Sequence, residues 1–133
     1  MNLSLLGLAL FLTGAVAPSL RFDGPAELVD LGPVAQPSSE VRIAWSPDGT
    51  RQLWGSISRT GGPGGWEIWE RRRQGGAWSE ARPVSFNSAQ NDFDPFFAPD
   101  GKAVYFFSNR PGGQGGDDLY VAPFDSRQGA YGE

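Results

Sequence analysis

Hydrophobic and polar positions come in short runs along this chain, and each run is closed by glycine, proline or a small polar residue before a helical period develops. Runs of this kind bounded by turn formers predict strands. They fall at Glu40 to Trp45, Arg51 to Ser56, Gly65 to Arg71 and Trp78 to Phe86, then at Asp92 to Phe97, Ala103 to Ser108 and Asp118 to Phe124. The runs beginning at Ala103 and Asp118 are nearly continuous in β-branched and aromatic residues, the pattern of strands covered on both faces. The reading is all-β.

The order of these runs is itself repeated. Pro47, Asp48 and Gly49 return as Pro99, Asp100 and Gly101 at an offset of 52, Gly61 returns as Gly112 at 51, and Trp78 as Tyr131 at 53. Slips of one residue belong in loops. Pro25 to Val34 resembles Ala81 to Phe86, so a third, partial copy stands at the front. A period of about 50 residues built from short strands predicts propeller blades, each burying its faces against its neighbours. Blade one is expected over about 40–86 and an incomplete blade two over about 92–133, the chain ending mid-blade because Glu133 matches Glu80.

In both Pro-Asp-Gly segments proline presets φ, glycine supplies a positive φ and the aspartate accepts turn N–H groups. Asp48 and Asp100 are therefore read as structural. The glycine-rich stretches after Arg59 and Arg110 read as wide hairpin loops, because neither has dinucleotide-site spacing and Gly101-Lys102 is followed by Ala103 instead of a hydroxyl residue. Aromatics at repeat positions read as inter-sheet core. Trp66 is the exception, since its counterpart is Asp117.

Candidate binding residues are those that differ between copies. Asp92 and Asp94 share one strand face by the period of two, and the first copy has Glu40 and Arg42 in their places. Arg42, Asp92, Asp94 and Trp66 are the polar and aromatic candidates, with Arg110 as the partner expected to hydrogen-bond the aspartates.

Composition narrows the chemistry. The 133 residues include 19 glycines and 11 prolines with 39% hydrophobic residues, enough for a packed, turn-rich domain. A net charge of −4 argues against a nucleic-acid partner, and the short basic run Arg71 to Arg73 reads as a solvated strand end or turn. With no cysteine there are no disulfides or thiolate zinc sites, and with no histidine there is no Ser-His-Asp triad or imidazole acid–base chemistry. No G-x-S-x-G elbow, EF-hand loop or sialidase-type Asp box is present. No enzyme activity, cofactor or metal is expected within this chain.

Leu3 to Ala17 is apolar and ends in Ala15-Val16-Ala17, the form of a secretory signal peptide. Residues 1–17 are read as that signal and 18–133 as the exported, periplasmic or secreted part, with no stable membrane span once the signal is removed. The apolar run is shorter than the roughly 20 residues a membrane helix needs.

The ordered series of Pro-Asp-Gly, an apolar strand, Ser108-Asn109-Arg110-Pro111-Gly112-Gly113, Asp117-Asp118-Leu119-Tyr120 and the closing Gly129-Ala130-Tyr131-Gly132-Glu133 resembles the WD40-like propeller repeat of TolB-type periplasmic proteins. The resemblance covers about residues 25 to 133 and is weaker in the first copy. It implies a β-propeller of four-stranded blades acting as an exported scaffold that binds a protein, peptide or glycan through loops and the central channel. An accessory propeller piece of a larger hydrolase, either a serine peptidase or a glycan-active enzyme, is the alternative. Two blades do not close a ring, so either a longer product or a homo-oligomer is expected.

Overall fold

Both Pro-Asp-Gly segments close tight hairpins. The Gly49 N–H donates to the Ser46 carbonyl at 2.8 Å and the Gly101 N–H to the Ala98 carbonyl at 2.9 Å. The glycines take φ of 68° and 70°, a region costly to residues with a Cβ. Asp48 Oδ1 accepts the Thr50 N–H and Asp100 Oδ1 the Lys102 N–H, each at 3.0 Å, so both carboxylates brace their own turns.

The computed structural model describes residues 24–27, 31–62 and 65–132; the apolar run read as an export signal lies outside the described residues. Strands β1 (Ser39–Trp45), β2 (Arg51–Ile57), β3 (Trp66–Gln74) and β4 (Ala77–Trp78) form one antiparallel sheet in chain order, and β5 (Arg82–Pro83) also pairs with β3. Strands β6 (Asp92–Phe97), β7 (Ala103–Ser108), β8 (Asp118–Asp125) and β9 (Ala130–Tyr131) form the second sheet in the same order. The only helical element among the described residues is a 3-10 turn at Gly32–Val34. The protein is all-β, and its two curled antiparallel sheets, each with four strands in chain order, have the form of partial propeller blades. No helix among the described residues is long and apolar enough to cross a membrane.

Two sequence expectations about the first sheet need correction. The continuous strand expected from Trp78 to Phe86 is two dipeptides, β4 and β5, separated by Ser79-Glu80-Ala81. The second piece ends at its proline. Pro83 has no N–H to give a ladder, and beyond it Asn87 takes over pairing with β3, its Oδ1 accepting the Ile68 N–H at 3.0 Å and its Nδ2 donating to the Ile68 carbonyl at 2.8 Å. The basic run is also not a solvated end. Arg71 is buried within β3 and Arg72 is half-buried, leaving Arg73 exposed.

The main core lies between the sheets. Leu53 and Ile68 of the first sheet meet Phe97, Val104, Phe106 and Ala122 of the second, with Val84 and Phe86 of the connecting segment between them. Each such side chain contributes about 1.5–3 kcal/mol by leaving water. A second cluster, Trp54 and Trp69 with Val34, covers the other face of the first sheet. Val34 is to the first sheet what Phe86 is to the second, at the offset of 52, so the incoming partial copy packs as a blade end does. The far face of the second sheet is different. Phe96, Tyr105, Phe107, Leu119 and Val121 are exposed there, so β7 and β8 are covered on one face only.

Candidate functional site

In each sheet an arginine just after the second strand ties the sheet to the segment before it. In the second sheet Arg110 follows β7, and its guanidinium donates to Asp92 Oδ1 at 2.7 Å, to the Phe86 carbonyl at 2.9 Å and to Ser108 Oγ at 3.0 Å. The same group lies 4.9 Å from the Phe106 ring centroid and 5.1 Å from that of Tyr120. In the first sheet Arg59 donates to the Val34 carbonyl at 3.0 Å and lies over Trp54 and Trp69. Burial depresses its pKa, opposed by the nearby Glu40 charge. A cation over two aromatic faces gains from both quadrupoles. One clamp is thus built twice from residues at matching positions.

The acidic candidates separate on this frame. Asp92 is fully buried, and its second oxygen accepts the Ser88 N–H at 2.5 Å and the Ser88 hydroxyl at 2.9 Å. Glu40 does related work in the first copy, accepting the Gln36 N–H at 3.3 Å. Asp94 does not share a face with Asp92, contrary to the expectation from the period of two. A bulge between Phe93 and Phe96 interrupts the ladder, and Asp94 sits in it at φ 51°. The extra residue in a bulge turns the side chains after it.

That bulge has a twin. The first sheet is irregular between Val41 and Ile43, and Arg42 sits there at φ 38°. Strands β1 and β6 pack against one another, and the two bulged residues meet, Arg42 Nε lying 3.7 Å from Asp94 Oδ1 with side-chain exposures of 54% and 33%. Both are non-glycine residues in the left-handed region, a conformation costing about 1–3 kcal/mol each. Arg42 borders a groove of about 250 Å³ whose walls include Trp45, Pro95 and Phe96. The geometry therefore brings Arg42 and Asp94 together, opposite in charge and reachable from solvent.

Trp66 lies apart from this pair. It is the first residue of β3, half-buried, and its N–H donates to Asn91 Oδ1 at 3.0 Å. The glycine-rich hairpins enclose anions of the chain itself. Asp118 Oδ2 accepts the Gln114 N–H at 2.7 Å and the Gly115 N–H at 3.1 Å. Glu67, at the matching position, lies under Gly62, where a Cβ would come within 1.6 Å of its carboxylate.

A buried polar hub escaped sequence reading. Glu70 receives Arg51, Arg72 and Arg82 at 3.2, 2.9 and 3.0 Å. Arg51 also donates at 3.0 Å to the carbonyl of Gly129, in the turn between β8 and β9. The available signal was the unlike pair Glu70 and Val121 at one repeat position. On the opposite face of the first sheet, a cavity of about 560 Å³ is lined by Arg59, Trp69, Arg71 and Trp78 among others. Arg71 there bonds Gln52 Oε1 and the Leu31 carbonyl and lies 4.9 Å from the Trp78 centroid. Among the described residues no three acidic side chains converge on a point where a metal would sit. No protein-family model and no curated protein matches the chain.

Proposed function

We propose that this chain is an exported, non-catalytic interaction module of the WD40-like, TolB-type propeller kind, and that a protein, peptide or glycan partner is read at the inner-strand bulges by Arg42 and Asp94. The observation that carries the proposal is the pair of left-handed, non-glycine bulges at one repeat position, holding opposite charges at 3.7 Å. Strained backbone persists where the surrounding structure holds it and collects at binding sites. A long, half-exposed ion pair adds little to stability, so folding alone gives a weak reason to keep these charges. Arg42 supplies planar donors and Asp94 acceptor oxygens, which together fit a zwitterionic peptide segment or the hydroxyls and carboxylates of a glycan. The absence of histidine and cysteine supports a binding role over a catalytic one.

The test uses immobilised peptide and oligosaccharide arrays probed with the labelled chain. Spots bound by the wild type and lost at least tenfold in both Arg42→Ala and Asp94→Ala support the proposal. Binding unchanged in the two variants removes it.

A further inference from the structure

The cavity beside Arg71 has a counterpart in the second sheet, built with different chemistry. Moved by the repeat offset, Val34, Arg59, Trp69 and Arg71 become Phe86, Arg110, Tyr120 and Ala122, which line a smaller cavity of about 310 Å³. Gln52 pairs with Arg71 across β2 and β3 as Val104 pairs with Ala122 across β7 and β8. Val104 and Ala122 belong to the apolar core. Gln52 and Arg71 are buried too, at 3% and 9% exposure, so the first copy has put a polar pair where the second has an apolar one.

The chain does not use all that Arg71 offers. The guanidinium bonds Gln52 through Nε and the Leu31 carbonyl through Nη1, so Nη2 keeps two N–H donors. Among the described residues no carboxylate lies within ion-pair distance of it, and burial depresses its pKa. A cation taken from water and held by neutral groups alone lacks the counter-charge that would offset its desolvation. On the same cavity wall the indole N–H of Trp69 is buried without an acceptor, an exception among buried polar groups. Acceptor oxygens from outside the chain would satisfy both.

The rest of the wall sets the ligand class. Trp78 is half-buried and presents an aromatic surface, and Glu80, exposed at the rim, presents acceptor oxygens. Glu80 repels a phosphoryl dianion but accepts hydroxyl protons. A volume of about 560 Å³ lies within the range of small-molecule sites, which combine aromatic walls with a few placed polar groups.

We infer that this cavity binds a sugar acid, a hexuronic acid or its glycoside, with the carboxylate on Arg71, the ring against Trp78 and hydroxyl groups toward Glu80. Arg42 and Asp94 do not line the cavity, so the inference stands apart from what they bind.

The experiment is calorimetric titration of the full chain with glucuronate and galacturonate, with glucose and galactose as the neutral sugars and N-acetylglutamate as a carboxylate without a sugar ring. The wild type is expected to bind one of the uronates at least tenfold more tightly than its neutral counterpart or N-acetylglutamate. Arg71→Ala installs the residue of the second copy, so it is expected to fold, as a circular dichroism melt checks, and to bind at least tenfold more weakly. Arg71→Gln carries the same expectation if the alanine variant does not fold. Arg42→Ala is expected to bind uronate as the wild type does. A wild type that binds neither uronate overturns the inference, as does a neutral sugar bound equally well or binding that survives the loss of Arg71. N-acetylglutamate bound more tightly than either uronate overturns the sugar acid and gives the cavity to a peptide carboxylate.

Discussion

The Tyr131 hydroxyl donates to Glu70 Oε2 at 3.3 Å across the seam between the sheets, joining residues 61 apart in sequence. Glu70 is at the same time the sole carboxylate bridged to Arg51, Arg72 and Arg82 among the described residues. Removing the two ends of this bond has unequal consequences. Tyr131→Phe loses one long hydrogen bond and is expected to cost about 1 kcal/mol. Glu70→Ala leaves the buried Arg51 guanidinium without its counter-charge and is expected to cost about 3–5 kcal/mol. Urea unfolding of the two variants measures the difference, and equal losses would mean that the arginines find other acceptors.

Tyr131 also makes stability depend on alkali. Burial first, and the Glu70 charge second, push its phenol well above the ordinary value of 10.0. A folded-state pKa raised in this way gives stability that is complete below pH 10.0 and lost as the pH climbs toward the folded value, because the unfolded chain ionises first. The melting temperature of the wild type is expected to fall faster above pH 10 than that of Tyr131→Phe. Parallel curves would place the alkaline loss elsewhere.

The Arg110 clamp gives a test of shape against charge. Its guanidinium reaches the Asp92 carboxylate, the Phe86 carbonyl and the Ser108 hydroxyl together, a span that a lysine ammonium does not cover. Arg110→Ala strands the fully buried Asp92 and is expected to cost about 3 kcal/mol. Arg110→Lys restores the charge without the fork and is expected to recover less than half of that. Full recovery in chemical denaturation would reduce the clamp to a simple ion pair.

Much of this architecture is legible along the chain, and the failures share a cause. The sequence runs at Asp92 and Ala103 become β6 and β7 with the expected limits, because aromatic and β-branched residues there are bounded by Asn, Pro-Asp-Gly and Asn-Arg-Pro. The Pro-Asp-Gly turns are local chemistry and are equally readable. The bulges at Arg42 and Asp94 are not, because arginine does not favour a positive φ and aspartate, which tolerates one, takes it at few of its positions. Asn87 and Asn91 are missed for a related reason, as their amides stand in for a strand and a side chain doing backbone work leaves no periodic trace. Glu70 and its arginines look like surface charges in one dimension. Only packing of the second sheet across them buries them.

The glycine-rich hairpins differ in how tightly they hold their internal carboxylates. A Cβ at Gly62 would fall 1.6 Å from the Glu67 carboxylate, and one at Gly113 would fall 2.0 Å from that of Asp118. Glu67 is 1% exposed, whereas Asp118 is half-buried and has room to move toward solvent. Gly62→Ala is therefore expected to lower the melting temperature more than Gly113→Ala. The reverse order would mean that the second hairpin is the more constrained.

Backbone strain at the bulged pair separates stability from recognition. Alanine at position 42 or 94 keeps the penalty of a Cβ in the left-handed region and loses the side chain. Glycine removes that penalty while adding the entropy of a freer unfolded chain. The ion pair itself is worth little at its exposure. Arg42→Gly is thus expected to be more stable than Arg42→Ala by about 1 kcal/mol, with the same sign at Asp94. Both glycine variants are expected to lose partner binding as fully as the alanine variants do. Thermal melts and array binding on the same four proteins decide it. If glycine proves less stable than alanine at both positions, the conformation is one these residues adopt without cost, and backbone strain does not mark them for recognition.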